Sequence, residues 1–200
     1  SSKNKEQNAP GVTVRKLIRK TSVPGWVVKS QTSFSVSSIL CPVDFSGASR
    51  RALANAILLS SKMNANLHVI SVYDPIELVS RRISANLEDY NRRALASYKK
   101  QFADFLNDFD FQDVHYEVET LVGKPERIIL EELNTEKYDL LLMGTTGKTG
   151  ISRILVGSVT EKVLEECPVS FITTKTRDIL NPEFEMKIAN IESLLHEAEE

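Results

Sequence analysis

The sequence predicts an α/β fold in which helices cover both faces of a doubly wound, five-stranded parallel sheet. Stretches with strand patterns alternate with stretches of helical spacing, in the order β-α-β-α-β-α-β-α-β. Three of the strands, near 39–43, 67–72 and 139–143, are apolar along their length. That pattern is typical of parallel strands buried by helices on both faces. The right-handedness of βαβ crossovers then favours a doubly wound sheet.

The first half of the unit contains two strands and two helices. Residues 38–43 form a short apolar run that predicts a strand, and the turn at 44–47 can cap a helix. Apolar residues recur at helical spacing over 48–64, and 67–73 has a buried-strand pattern. A helix is predicted near 87–109. Its apolar face is predicted to contain Leu87, Tyr90, Ala94, Tyr98, Phe102, Phe105 and Phe109.

The second half repeats this alternation and closes the sheet. Residues 114–122 alternate as in a strand, and a helix follows through Glu132 with Pro125 well placed in its first turn. Residues 138–143 form a strongly apolar strand, which leads into a loop rich in Gly and Thr. A helix near 157–166 and a strand near 168–173 complete the unit.

Composition excludes several classes of partner. The 200 residues hold 25 basic and 27 acidic side chains, and the net charge of −2 favours neither nucleic acid nor a membrane surface. There is no apolar run of 18 residues, and residues 1–10 lack the apolar centre of a signal peptide, so we expect a disordered tail there and a cytoplasmic protein. Cys41 and Cys167 lie in apolar runs and are predicted to be buried thiols in a reducing compartment.

A glycine-rich loop follows the strand at 138–143, where ligands of doubly wound sheets bind. It runs over 144–150, and Gly157 and Ser158 then open the next helix. Glycines let a backbone approach a ligand closely, and the free N–H groups of a helix N-terminus attract phosphate. Lys148, Ser158 and Thr160 could add charge and hydroxyl donors. The loop is neither a P-loop nor a GxGxxG fingerprint. Ordinary turn and capping glycines remain an alternative interpretation.

The spacing G-x2-G-x9-G-[ST], formed by Gly144, Gly147, Gly157 and Ser158, resembles the ATP-binding signature of universal stress proteins. Other segments resemble the same family in the same order, and the resemblance spans 38–174. They are ILCPVDFSGASRRAL, GKPERIIL, YDLLLMGTTGKTG, ILVGSVTEKVL and CPVSFITT.

The resemblance implies a parallel sheet in the order 3-2-1-4-5 and ATP, with Mg²⁺ as a possible companion, as the ligand. It places Pro42, Val43 and Asp44 at the adenosine end and Val72 in the adenine pocket. It places Met143 and Gly144 beside the ribose and phosphates. The residues implied to hold the phosphates are Gly147, Lys148, Gly157, Ser158 and Val159.

Some of these residues also have purely structural interpretations. Asp44 and Ser46 could cap the first helix, a role that is compatible with ligand contact at Asp44. Lys148 could point into solvent. No Asp/Glu cluster identifies protein ligands for Mg²⁺, and no His/Cys/carboxylate grouping has zinc-like spacing, so no metal site is predicted.

Residues 11–29 resemble 157–175, as Gly11 falls on Gly157 and Leu17-Ile18 on Val163-Leu164. Pro24 falls on Pro168 after two extra residues in the front copy. We interpret 11–29 as the last helix and strand of a preceding copy of the same domain, joined to 38–174 by a linker at 30–37. The parent would then be a tandem protein of which this chain is a shortened version, with Val12 in place of the phosphate-binding Ser158.

A pairing of domains follows from this interpretation. The family resemblance implies dimers that form edge to edge through the fifth strand. The strand near 24–29 is therefore expected to lie against the strand near 169–173 and to mimic the partner domain. The protein itself is expected to be a homodimer or a tandem pseudo-dimer through the last strand. Covering an exposed strand edge also protects it from unwanted pairing.

The C-terminal extension, 175–200, is predicted to be mostly helical. Phe184, Ile188, Ile191 and Leu195 recur at steps of four and three, over too short a stretch for a coiled coil. A helix that packs back on the domain and a helix that binds a partner both remain open.

Three functions remain open at this stage. The sequence favours a regulatory module that binds ATP, since it offers phosphate-holding groups but no recognisable catalytic triad or nucleophile elbow. The second is a slow ATPase or autophosphorylating enzyme, with Ser158, Thr160 and threonines 145, 146 and 149 as acceptors and Lys148 stabilising phosphate charge. The third is a domain-pairing module that binds no nucleotide.

Overall fold

A computed structural model describes residues 18, 25–29, 35–75, 84–111, 113–145 and 156–174. Within these ranges, six strands form one sheet and four helices flank it. The elements, in chain order, are β1 (Gly25–Val27), β2 (Ser38–Pro42), α1 (Gly47–Met63), β3 (Asn66–Tyr73), α2 (Ser84–Leu106), β4 (Tyr116–Val122), α3 (Pro125–Leu133), β5 (Leu140–Gly144), α4 (Ser158–Glu166) and β6 (Ser170–Thr174).

The strand order across the sheet is β1-β6-β5-β2-β3-β4. The five strands from β2 to β6 pair in parallel, and their order confirms the predicted 3-2-1-4-5 arrangement. A sixth strand, β1, extends the five parallel strands and pairs antiparallel with β6, as expected for the strand near 24–29. The α/β class with a doubly wound sheet is confirmed.

The chain winds in two directions from β2, which lies inside the sheet. It continues through β3 to β4 on one side, then crosses over to β5 and β6 on the other side. The carboxyl ends of β2 and β5, which are neighbours in the sheet, therefore diverge into connections on opposite faces. In open α/β sheets this point is where ligands bind.

Alternate residues of the central strands enter two separate apolar clusters, one on each face of the sheet. Ile39 packs in the first cluster with the apolar faces of α1 and α2, whereas Leu40 packs in the second with α3 and α4. Leu141 and Leu142 divide in the same way. Burial on both faces explains why these strands are apolar along their length rather than alternating.

Both cysteines are free and buried, as predicted. Burial raises the pKa of the Cys167 thiol to about 11 and raises the pKa of Cys41 as well. Neither thiol is therefore ionised near neutral pH, and both act as small apolar core residues.

The predicted apolar face of α2 is only partly correct. Phe102 and Phe105 are buried in the first cluster, but Tyr90 is 55% exposed. Helical spacing identifies which residues share a face of the helix. How much of that face the sheet covers depends on the tertiary structure.

Several predictions concern residues that lie outside the described ranges. These are the disordered tail at 1–10, most of the linker at 30–37, and the helical extension at 175–200. Ser37, which is described, is anchored to the domain because its backbone N–H and hydroxyl both donate to the Asp139 carboxylate at 2.8 Å.

Candidate functional site

A cleft of about 310 Å³ opens at the carboxyl ends of β2 and β5, where the strand order reverses. Its floor is formed by the strand ends and its sides by the first turns of α3 and α4. The lining residues are Pro42, Val43, Asp44, Ser49, Val72, Pro125, Ile129, Met143, Gly144, Gly157, Ser158, Val159 and Thr160. The position agrees with the general rule for ligand sites in doubly wound sheets.

The structure brings nine of the eleven candidate binding residues together around this cleft. The other two, Gly147 and Lys148, lie outside the described residues. The nine come from four separate segments of the chain, three at the carboxyl ends of strands and one at the start of α4, which meet at the same edge of the sheet. They are Pro42, Val43, Asp44, Val72, Met143, Gly144, Gly157, Ser158 and Val159.

The N-terminus of α4 forms one side of the cleft and offers free backbone donors. Its N-cap residue, Gly157, has no side chain that could accept a hydrogen bond from the first turn. The N–H of Gly157 donates to Thr145 O at 2.6 Å, and the helical ladder begins with Glu161 N–H donating to Gly157 O at 2.9 Å. The N–H groups of Ser158, Val159 and Thr160 have no acceptor within the described part of the chain, and these residues line the cleft. The arrangement can therefore bind an anion.

Hydrogen bonds fix α4 to the ends of β5 and β6. The Thr160 hydroxyl donates to Gly144 O at 2.8 Å, and Thr145 N–H donates to Thr174 O at 2.8 Å. The Thr174 hydroxyl in turn donates to Ala48 O, at the start of α1, at 3.1 Å. These bonds are buried or partly buried, so the free amides of α4 are held in place before any ligand arrives.

Gly144 is required by packing at the end of β5. A Cβ at this position would lie 2.7 Å from the backbone carbon of Ala48 and 2.8 Å from Ser49 N. No side chain can occupy that space without moving the backbone of α1. The family resemblance implies that Gly144 lies beside the ribose and phosphates. The geometry adds a packing role, because the absence of a side chain at Gly144 lets α1 pack directly against the end of β5.

Asp44 is the one charged side chain among the described residues that line the cleft. Its Oδ1 accepts a hydrogen bond from Ser46 N–H at 3.1 Å. The N-cap of α1 is Ser46, whose hydroxyl oxygen accepts from Ser49 N–H at 3.1 Å. Of the two capping candidates, Ser46 therefore caps α1. Asp44 instead stabilises the turn that precedes α1, and it faces the cleft.

A hydroxyl network behind the cleft joins α2 to the ends of β2 and β3. The Ser71 hydroxyl donates to Val43 O at 2.8 Å and lies 2.7 Å from the Tyr98 hydroxyl, which donates to Val72 O at 2.9 Å. Burial raises the pKa of Tyr98, with a smaller contribution from the nearby Asp44 charge. Tyr98 therefore stays protonated, and the network holds Val43 and Val72 where they line the cleft.

The candidate set from the sequence misses four lining residues: Ser49, Pro125, Ile129 and Thr160. The sequence also offers Thr160 as a hydroxyl donor to phosphate, but in the structure its hydroxyl donates to Gly144 O. Pro125 and Ile129 belong to α3, whose approach to the cleft depends on a crossover that spacing along the chain does not reveal. The sequence signal that could have identified them is that both are apolar residues of a helix that begins just after a strand ends.

The hydroxyls proposed as phosphate acceptors differ in accessibility. Thr145 and Thr160 are 0% and 4% exposed, and both hydroxyls donate to backbone carbonyls. Ser158 is exposed at the mouth of the cleft, while threonines 146 and 149 lie outside the described ranges. Of the described acceptors, the structure therefore leaves Ser158 accessible.

Two general features of the described ranges also bear on function. No helix there is long and apolar enough to cross a bilayer. The described residues likewise contain no group of three or more His, Cys, Asp or Glu side chains arranged to hold a metal ion.

Comparison with known proteins identifies the family to which this fold belongs. A model of the universal stress protein family matches residues 36–175. A universal stress protein of Methanocaldococcus jannaschii is 36% identical over 140 residues, which cover 66% of this chain and 78% of the relative.

Solved structures share the same fold. The structure of UspA, a universal stress protein from Lactobacillus plantarum, is 25% identical with a TM-score of 0.56, over 69% of this chain and 97% of that one. A universal stress protein in complex with cAMP is 22% identical with a TM-score of 0.51, over 71% of this chain and 99% of its own. The chain, matched by the family model over most of its length, belongs to the universal stress protein family.

Proposed function

We propose that this chain binds an adenine nucleotide, with ATP as the expected ligand, and acts as a nucleotide-dependent regulatory module in a stress response. The observation that carries the proposal is the row of three amides at the start of α4, which have no acceptor among the described residues and open into an otherwise mostly apolar cleft. A ligand that combines a flat apolar ring with an anionic chain matches both features.

The phosphates would lie against α4. The amides of Ser158, Val159 and Thr160 offer donors, and the helix dipole adds positive potential at the same end. The proposal gives Gly147 and Lys148 a part in phosphate binding as well. No basic side chain is found among the described lining residues. Lys148 would therefore supply charge that the amides alone do not.

The adenosine would lie at the opposite end of the cleft. Pro42, Val72 and Met143 offer apolar surface to a base, and Asp44 offers a carboxylate oxygen to ribose hydroxyls. Val43 has little left to offer from its backbone N–H, since that group donates to Ile70 O at 2.8 Å. Recognition of the base would therefore depend on shape and on Asp44 more than on Val43 N–H.

The size of the cleft fits a small ligand of this class. Its volume of about 310 Å³ lies at the lower end of the range for small-molecule sites. The cAMP held by one structural relative contains the adenine, ribose and phosphate that the cleft suits. Mg²⁺ would have to be bound mainly by the phosphates and water, as Mg²⁺ commonly is.

The identity of the ligand can be tested directly on purified protein. Denaturation followed by chromatography and mass spectrometry should release ATP from the wild type and much less from Gly157→Val, whose side chain would obstruct the amides. ATP with Mg²⁺ should also raise the melting temperature of nucleotide-free protein.

Parallel titrations with ADP, AMP and cAMP would establish which phosphate pattern is preferred. A wild type that contains no nucleotide, and whose melting temperature responds to none of these ligands, would contradict the proposal. The domain-pairing function would then be the better explanation of the fold.

A further inference from the structure

The outer edge of β4 has no strand partner among the described residues. β4 is the last strand in the sheet order, and it pairs in parallel with β3. The N–H of Gly123, the residue after β4, donates to Tyr73 O of β3 at 2.9 Å. Because backbone groups alternate in direction along a strand, those of the odd-numbered residues of β4 point toward β3. The residues whose N–H and C=O groups point outward are Tyr116, Val118, Thr120 and Val122.

The side chains of β4 form an exposed apolar face and an exposed acidic face. Tyr116, Val118 and Val122 lie on the side of the sheet that α1 and α2 cover, and they are 44%, 45% and 50% exposed. Glu117 and Glu119 lie on the opposite side and are also exposed. A strand added beside β4 would therefore meet apolar side chains on one face of the sheet and carboxylates on the other.

The negative charge of this edge extends into a cavity of about 220 Å³ at the start of β4, which Glu117 also lines. Burial is the largest cause of the raised pKa of the Tyr138 hydroxyl, which lines the same cavity. Nearby carboxylates raise that pKa further, and they are Glu132, Glu119 and Glu117. The described lining adds one lysine, Lys137, and two histidines, His68 and His115. The carboxylates therefore outnumber the fixed positive charge at this end of β4.

These charges decide between a second copy of this chain and a different partner. Two copies paired antiparallel about Val118 would place Glu117 of each copy opposite Glu119 of the other. Like charges directly opposite each other destabilise a strand pair, and charged residues on an edge commonly protect it from self-association. Basic side chains at the same positions would be attracted to the carboxylates instead. β4 therefore disfavours pairing with its own copy and favours pairing with a basic segment.

We propose that the outer edge of β4 binds an extended segment of another protein in which basic and apolar residues alternate. The segment adds a strand beside β4, and its backbone bonds to the outward groups of Val118 and Thr120. Its apolar side chains pack beside Tyr116 and Val118, and its basic side chains lie against Glu117 and Glu119. None of these residues lines the proposed nucleotide cleft, so this proposal does not depend on nucleotide binding.

A short synthetic peptide in which lysine and valine alternate tests the proposal, since its pattern is the same in both strand directions. Amide hydrogen exchange of the intact chain, resolved by NMR, reports where the peptide binds. In the free protein the outward amides of Val118 and Thr120 should exchange quickly, and saturating peptide should slow them at least about tenfold. The amides of Glu117 and Glu119 point toward β3 and should change much less. Slowing at every second residue is the signature of an added strand.

The substitution Val118→Pro tests the backbone contribution. Proline removes an outward N–H but no donor to β3, and an edge strand tolerates proline at such a position. Binding of the peptide should weaken at least about tenfold. The matched control is Val118→Thr, which keeps the N–H and a β-branched side chain and should bind within about threefold of the wild type.

A double substitution tests the charges. Glu117→Gln together with Glu119→Gln should weaken binding of the peptide about fivefold. The control, Glu165→Gln together with Glu166→Gln, removes the same charge from exposed positions of α4 and should leave binding unchanged. Equal weakening by the two double variants would show a general attraction of the peptide to negative charge and would overturn the proposal.

Slowed exchange at Val118 and Thr120 that Val118→Pro prevents at the same peptide concentration supports the proposal. It is overturned if millimolar peptide slows neither amide, or if Val118→Pro binds the peptide as tightly as the wild type. Slow exchange of both amides in the free protein also overturns it, because this chain or a second copy would then already cover the edge. If Val118→Pro does not fold, a peptide with N-methyl groups on alternate residues replaces it on the wild-type protein. Slowing by that peptide equal to slowing by the unmethylated one would contradict the proposal.

Discussion

At the scale of single residues, Phe45 connects the cleft to the core. It is a bulky residue with φ of 66°, a left-handed conformation that residues other than Gly, Asn and Asp rarely adopt. Its ring packs against Tyr98 and Phe105, with centroid distances of 5.1 and 5.4 Å. We infer that burial of the ring offsets the backbone strain and turns the neighbouring Asp44 toward the cleft.

This interpretation predicts an unusual order of stability at position 45. Both Phe45→Ala and Phe45→Gly lose the ring contacts and should lower the free energy of unfolding by about 2–4 kcal/mol. Glycine relieves the strain, so Phe45→Gly should be more stable than Phe45→Ala by about 1 kcal/mol, the reverse of the usual order. Urea denaturation of the two variants measures the difference. An alanine variant as stable as the glycine variant would show that the backbone is not strained.

Most residues of the cleft could be predicted from the sequence, but not all of their roles could. Asp44 and Ser46 were both candidate caps, because either side chain can accept a hydrogen bond from the first turn of a helix. Their division of roles depends on the left-handed turn at Phe45, which no pattern in the sequence predicts. The packing role of Gly144 depends on contact with α1, which lies nearly one hundred residues earlier in the chain.

At the scale of elements, an ion pair joins the two helices that border the cleft. Lys162 Nζ of α4 lies 2.7 Å from Glu126 Oε1 of α3. The hydrogen bond from Lys162 is the largest cause of the lowered pKa of Glu126, which lies below its ordinary value of 4.5. A carboxylate with a lowered pKa in the folded state stabilises the protein above its unfolded pKa. That contribution is lost as the pH falls through the folded value.

The substitution Glu126→Gln should therefore have an effect that depends on pH. The side chains of Lys162 and Glu126 are 59% and 24% exposed, so solvent screening limits the expected loss at pH 7 to about 0.5 kcal/mol. The difference from the wild type should shrink as the pH is lowered below 4.5. Thermal unfolding across pH measures it. Glu131→Gln, which breaks the ion pair with Arg127 inside α3 instead of one between the two helices, is the control. A difference that persists at low pH would count against the ion pair.

The boundaries of the elements could be predicted to within a few residues, but their burial could not. Periodicity identified α2, yet Tyr90 is exposed because the apolar face continues past the part that packs on the sheet. β4 starts at Tyr116 rather than at the predicted residue 114. The limits of β4 are set by its neighbour β3, with which it pairs from Leu67↔Tyr116 onward.

At the scale of the whole molecule, the alternation of strands and helices was sufficient to predict the fold class. The three apolar strands could only be buried between two helical layers, and the order of the five parallel strands agrees with the family resemblance. The predicted pairing of the front segment with the last strand is confirmed by β1 and β6. Its register is set by contacts across the sheet edge and could not be read from the sequence.

The central claim is that the free amides of α4 bind the phosphates of a nucleotide, and Ser158→Asp tests it most directly. Ser158 is exposed at the first position of α4, where a carboxylate favours the helix by about 0.3–1 kcal/mol. The same carboxylate would repel phosphate from the amides. Stability and nucleotide binding should therefore change in opposite directions, which general damage to the fold would not produce.

The measurement is calorimetric titration of Ser158→Asp, of the neutral control Ser158→Asn and of the wild type, each with ATP and with adenosine. The account predicts that Ser158→Asp melts no lower than the wild type, binds ATP at least about tenfold more weakly and binds adenosine unchanged. Ser158→Asn should bind both ligands within about threefold of the wild type. ATP binding by Ser158→Asp with the affinity of the wild type would contradict the assignment of the phosphates to α4.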